Sequence, residues 1–259
     1  MAIRISKTRK FFCGWAKSYN KFVPGSRLTY WFAAFTALIV VLAWTFSSAL
    51  HYFMVRNHIL APSSVADVLR KYGPATEREF AGKSRSIGVQ WPPKRLYVLV
   101  FKQEANLELW IANNTGPYRF LSRYPILRMS GKLGPKRKEG DKQVPEGFYK
   151  ISELNPNSRY HLSLKVNYPN AEDIRNSKLP VNKLGGDIFI HGSNVSIGCV
   201  AIGDDAIEKV FCLTAIVPSA YRDVLISPID FRRKGARITL GEQSVGKLYD
   251  RLALKLRDF

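Results

Sequence analysis

Residues 28–50, LTYWFAAFTALIVVLAWTFSSAL, carry no charge over 23 positions. A bilayer core needs about 20 apolar residues of helix to cross it. The run is apolar all round, where a surface helix would show one apolar stripe. Tyr30, Trp31 and Tyr52 stand near its ends, where interfacial aromatics sit. Seven basic residues precede it (Arg4, Lys7, Arg9, Lys10, Lys17, Lys21 and Arg27), and Arg56 alone follows closely. By the bias of Lys and Arg toward the cytoplasmic side, the long C-terminal part is expected to be exported. Ser47-Ser48-Ala49 would suit a cleavage site, but a signal-peptide core spans about 7–15 residues, so an uncleaved anchor is the expectation.

Charge narrows the partners. The chain has 259 residues, with 40 Lys+Arg against 20 Asp+Glu and a net charge of +20. No acid precedes Asp67, and residues 67–259 keep 32 basic against 20 acidic positions. An exported basic domain excludes nucleic acid as the natural partner and favours an anionic envelope polymer. An apolar content of 46% excludes a disordered chain. Three unpaired cysteines exclude a disulfide scaffold and a thiolate metal site.

The pattern divides the chain into a basic cytoplasmic tail (1–27), a transmembrane anchor (28–54), a stalk or linker (55–93), a catalytic domain (94–220) and a basic C-terminal extension (221–259). In the stalk, Val65, Val68, Leu69 and Tyr72 predict a short helix ending at Gly73-Pro74, with loop beyond. LYVLVF (96–101) and NLELWI (106–111) read as a hairpin, and strands are predicted at 118–122, 147–152, 160–166 and 187–191. A helix capped by Asp204-Asp205 and stopped by Pro218 follows, and 242–257 repeats the helical spacing. The fold expected is mainly β (α+β), sandwich-like, with short helices.

Chemistry concentrates in DIFIHGSNVSIGCVAIGDD, 187–205. A buried strand delivers His191, and a Gly- and Ser-rich loop leads to Cys199. Gly198 lets a substrate reach the thiol, and N–H groups after Cys199, near the helix start, would serve as oxyanion donors and lower the thiol pKa. Cys212 reads as a core cysteine and Cys13 as inert. A phosphatase loop would need Arg at position 205, which is Asp; papain-like enzymes place Cys before His, the reverse of the order here.

IHGSNVSIGC resembles the catalytic motif of the L,D-transpeptidase (YkuD) family, in which HG is followed by SxGC. GKLGPKRKEGDKQVPEGFYKI (131–151) resembles that family's approach to the site, with Val144 where Thr is usual, and LNPNSRYHLSLKVNYPN (154–170) is similar to its YafK-like murein branch. The likeness covers about 94–220. The main family has a longer His-to-Cys gap and an Arg two residues after the Cys; here seven residues separate His191 from Cys199 and Ala201 takes the Arg place, as in that branch.

The resemblance implies Cys199 as nucleophile, His191 as its base, and Ser196 and Gly198 as shapers of the loop and oxyanion site. A backbone carbonyl at Gly192 or Ser193 would orient the histidine. Apart from the resemblance, Tyr160, Leu162, Leu164 and Val166 alternate with His161, Ser163 and Lys165, so His161 and Lys165, with Tyr168 on the exit loop, are candidate substrate-binding residues on a cleft wall, or else part of an ordinary solvated sheet face. Lys132, with Lys136, Arg137, Lys138 and Lys142, would hold stem-peptide carboxylates. The implied activity is peptidoglycan transpeptidation through a thioester, without cofactor or metal, in the periplasm and anchored in the inner membrane by one N-terminal helix. The alternatives are hydrolysis that frees a murein-linked lipoprotein, and a non-catalytic murein-binding module.

Overall fold

The computed structural model describes residues 27–56, 61–238 and 243–259, so the basic tail as far as residue 26, with Cys13, lies outside the described residues. In chain order the elements are α1 (Arg27–Arg56), α2 (Val65–Ser86), β1 (Arg95–Phe101), β2 (Asn106–Ala112), β3 (Arg119–Pro125), β4 (Arg128–Met129), β5 (Gly147–Ser158), β6 (His161–Val166), α3 (Ala171–Asn176), β7 (Ile188–His191), β8 (Val200–Ala201), α4 (Asp204–Ile216), β9 (Arg222–Ser227) and α5 (Gln243–Leu256). The charge-free run lies within α1, several of whose side chains are outside the described set. Among the described residues no helix is long and apolar enough to cross a membrane. All elements after α1 belong to the compact unit Thr45–Phe259.

The strands form one sheet in the order β3-β2-β1-β9-β5-β6-β7-β8-β4. Pairs β1/β9 and β7/β8 are parallel and the rest antiparallel. Two features show why the sheet curls. The first is β5, which turns a corner: Gly147–Lys150 pair with β9, and Ile151–Ser158 pair with β6 through two register shifts. The second is chain continuity. β3 and β4 are opposite ends of the sheet, yet only Ile126 and Leu127 join them, and an extended residue spans at most about 3.6 Å. Ile126 N–H donates to Ala105 O and Leu127 N–H to Ala201 O, one bond toward each end. The architecture is thus mixed α+β, built on one curled sheet.

β1 explains its own unbroken apolar run. Leu96, Val98 and Val100 enter a core with β2, β6, β7, α2 and α4, while Tyr97, Leu99 and Phe101 enter a second core under Val245, Tyr249, Leu252 and Leu256 of α5. Both faces of the strand are covered, so no alternation shows. The stretch 221–259, read as an extension, therefore supplies a strand in the middle of the sheet and a helix over one face.

α2 differs from the expected short helix, for it runs through Gly73-Pro74 to Ser86. Ser64 and Asp67 form a capping box at its start. Val68, Thr76, Phe80, Ala81 and Ser84 make one buried stripe. Burying Phe80 and its neighbours outweighs the roughly 3 kcal/mol that a helix-interior proline costs, at about 1.5–3 kcal/mol per large apolar side chain.

Candidate active site

The parallel register of β7 and β8 sets Ile190 beside Val200 and His191 beside Ala201. Side chains alternate along a strand, so Cys199, one residue before Val200, falls on the face that His191 uses. Across β6, Ser163 pairs with His191 and Lys165 with Phe189 on this same face. On the other side β4 brings Met129 opposite Val200, which leaves Ser130 next to Cys199.

Local hydrogen bonds fix the loop between His191 and Cys199. The Cys199 N–H donates to Ser196 Oγ (3.0 Å), and that hydroxyl donates back to Cys199 O (2.6 Å), closing the turn. Gly198 has φ 93° and donates its N–H to Ser130 Oγ (2.6 Å), which in turn donates to Lys142 O (2.8 Å). Ser193 has φ 61° and donates its N–H to Asp204 Oδ1 (2.6 Å). Asp204 was expected to cap α4; the N-cap is instead Gly203, with no side-chain cap bond, and the carboxylate turns back to Ser193.

His191 is 1% exposed and its ring stacks on Tyr160 with centroids 4.7 Å apart. Its Nδ1 lies 2.6 Å from Gly192 O. A carbonyl only accepts, so Nδ1 carries the proton and Nε2 the lone pair. Nε2 is buried without a hydrogen-bond partner among the described residues. Such a nitrogen is a base in waiting, since a buried acceptor left unbonded is costly.

Burial pushes the Cys199 thiol above its ordinary pKa, against a lowering by the Phe189 backbone; Asp187 adds to the rise and Lys136 opposes it. Sγ lies 3.5 Å from Asp187 O. Burial also pushes His191 down, while the Gly192 bond and the charge of Asp204 raise it. Both shifts favour the neutral thiol and the neutral imidazole. The helix-start effect expected on Cys199 is not seen. Val200 and Ala201 are strand, and the N–H groups of Ile202 and Gly203 are taken by His191 O and Ser193 O. α4 begins only at Asp204.

The approach segment is held from beneath. The Lys102 ammonium, 2% exposed, donates to Gly134 O and Val144 O (3.0 Å each) and pairs with Glu146 at 3.0 Å. Glu146 accepts from Gly134 N–H and from Tyr249 OH of α5. Val144, at the usual Thr place, is fully buried. Asp141 accepts from the backbones of Arg137, Lys138 and Gln143 and pairs with Lys136. Lys136 and Tyr168 line a cavity of about 330 Å³ that continues to Tyr149, Asp173 and Val245.

The other sequence candidates fall in distinct places. Lys165 pairs with Asp187 (3.2 Å) and lies over Phe189. Tyr168 is buried, its ring under Lys136. The Lys132 side chain is exposed, and its backbone N–H donates to Gln143. His161 is engaged by Glu208 of α4 (2.8 Å) and Tyr72 of α2. Cys212 is buried on α4. Sequence reasoning did not single out Ser130, Tyr160, Asp187 or the Lys102–Glu146 pair. It had no signal for Ser130, whose role depends on the β4/β8 register.

Residues 95–217 match the family model of the L,D-transpeptidase catalytic domain, YkuD. The chain is 34% identical to YafK of Escherichia coli, strains K12 and O157:H7, over 146 residues. That alignment covers 55% of this chain and 57% of YafK, so the chain spans little more than half the length of these relatives. Among solved structures it is similar to the helical cell shape determining protein Pgp2 of Campylobacter jejuni (22% identity, TM-score 0.43, covering 68% of this chain and 62% of that one). It is also similar to Bd1075 of Bdellovibrio bacteriovorus (24%, 0.39, covering 64% and 55%). The match ends before β9 and α5, and what it shows is that residues 95–217 are similar to the L,D-transpeptidase (YkuD) catalytic domain.

Proposed function

We propose that the chain is a membrane-anchored, periplasmic cysteine acyltransferase acting on peptidoglycan stem peptides. The observation that carries this reading is His191. Its Nδ1–H is pinned to Gly192 O, its Nε2 is buried and unpartnered among the described residues, and it shares a sheet face with Cys199. In this reading Nε2 takes the Cys199 proton as sulfur attacks the carbonyl of the third stem residue, a diaminopimelate by family likeness. The C–N bond breaks, the leaving amine takes the proton from the imidazolium, and a thioester remains. An amine acceptor, deprotonated by the same Nε2, then forms a new amide and releases the thiol. Water in place of the amine gives hydrolysis. Ile197, 76% exposed two residues before Cys199, leaves the loop open to solvent, which favours carrying this second outcome in the assay.

The test uses the full chain in detergent with disaccharide-tetrapeptide and with lipoprotein-linked muropeptide, products read by mass spectrometry. Wild type should show an adduct equal to the donor minus its leaving amine. Cys199→Ala and Cys199→Ser should lack it and lose nearly all turnover, and His191→Gln should fall roughly 10²–10⁴-fold. All three should still bind murein through the basic surface. Full activity of Cys199→Ala would leave the murein-binding module as the function.

A further inference from the structure

Gly192 O and Ser193 N–H are the two ends of one peptide unit. His191 Nδ1–H donates to its oxygen at 2.6 Å, and its N–H donates to Asp204 Oδ1 at 2.6 Å. Carboxylate, amide and imidazole therefore form one chain of two short hydrogen bonds. Amide resonance couples the two ends: an anion on the N–H side places more charge on the oxygen, which becomes a stronger acceptor for Nδ1–H.

The surroundings are built for this contact. A Cβ on Gly192 would lie 2.5 Å from Asp204 Oδ1 and 2.8 Å from Tyr160 O, so only glycine lets the carboxylate approach. Ser193 is held at φ 61°, a conformation non-glycine residues rarely adopt, with Gly203 N–H on its carbonyl and Ile202 N–H on that of His191. Asp204 stands in the first turn of α4, where the helix dipole favours its charge, and it does not cap that helix.

We propose that Asp204 is a positioning residue, a third member of the catalytic group that acts on His191 through the Gly192–Ser193 peptide. The proposal rests on the reading of Cys199 and His191 as the reacting pair. When Nε2 takes the thiol proton, the imidazolium faces an amide already polarised by a carboxylate. Burial drives His191 toward weak basicity, and the charge of Asp204 works against it. The groups facing His191 are Tyr160 stacked on the ring, Ser163 across β6, Cys199 at the start of β8 and, farther along the face, Lys165 with Asp187. Of these and Asp204, Asp204 is the one bonded to the peptide that holds the ring.

Asp204→Asn keeps an oxygen for Ser193 N–H and removes the charge, while Asp205→Asn removes a charge from the same helix turn without that contact. With the full chain in detergent, kcat of Asp204→Asn should fall about ten- to a hundredfold with KM nearly unchanged, as for loss of a charge-assisted bond, and Asp205→Asn should match wild type. In ring-¹⁵N histidine spectra His191 should titrate at lower pH in Asp204→Asn. In the wild type, which needs no variant to fold, the Ser193 amide proton should shift as His191 titrates. Unchanged His191 titration in Asp204→Asn, or a Ser193 amide indifferent to His191, overturns the proposal even if turnover falls. An adduct on Cys199 with either of those results leaves the acyltransferase reading intact, whereas active Cys199→Ala removes both.

Discussion

Burial sets the resting chemistry of Cys199. With the thiol raised and His191 lowered by the same cause, burial favours the neutral pair over a thiolate–imidazolium pair. The thiolate fraction then grows only as pH climbs through and past the ordinary thiol range. Iodoacetamide labelling of the folded full chain should accelerate into alkaline pH, with peptide mapping finding Cys199 modified ahead of the buried Cys212. A rate already level at neutral pH would instead mean a stored thiolate–imidazolium pair. At this scale the gathering of Cys199, His191, Ser196 and Gly198 around one loop was legible, because HGSNVSIGC is a contiguous motif. Asp204 was visible as a residue and misread in its role, since an acid at a helix start ordinarily caps it. Its real partner is eleven residues back, brought near by the β7–β8 crossover.

The element that most extends the site is α5. Leu252 is fully buried against the β1/β9 face, and Tyr249 reaches Glu146 Oε2 at 2.7 Å. Leu252→Ala should cost roughly 2–5 kcal/mol by cavity formation. Tyr249→Phe should cost about 1–3 kcal/mol, because it leaves a buried carboxylate oxygen without its donor. Urea titration of both variants would show a lower midpoint at unchanged slope; a midpoint equal to wild type would detach α5 from the folded core. The helical spacing of Val245, Leu248, Leu252 and Leu256 made this helix readable. β9 was not readable, because RDVLIS is short, begins with two charged residues, and is buried only through the neighbours it finds in β1 and β5. The second half of α2 was hidden for a like reason: Gly73-Pro74 is a local stop signal, and the packing of Phe80 overrides it.

At the scale of the whole molecule, the proposal that the chain is anchored and exported rests on the charge-free run 28–50 and on seven basic residues before it against one soon after. Reporter fusions after residue 94 should be active only outside the cytoplasm, and a reporter active only inside would remove a periplasmic substrate from reach. The sheet order bears on how such a chain could be delivered. β9, the last strand in sequence, lies between β1 and β5, so strand pairing between β1 and β5 runs through residues 222–227. A chain emerging N-terminus first leaves the facing edges of β1 and β5 unpaired until nearly all of it has been made. If the chain is exported as proposed, this arrangement would suit passage through a narrow translocation pore, the β1 and β5 edges closing on β9 only after the C-terminal portion has passed through.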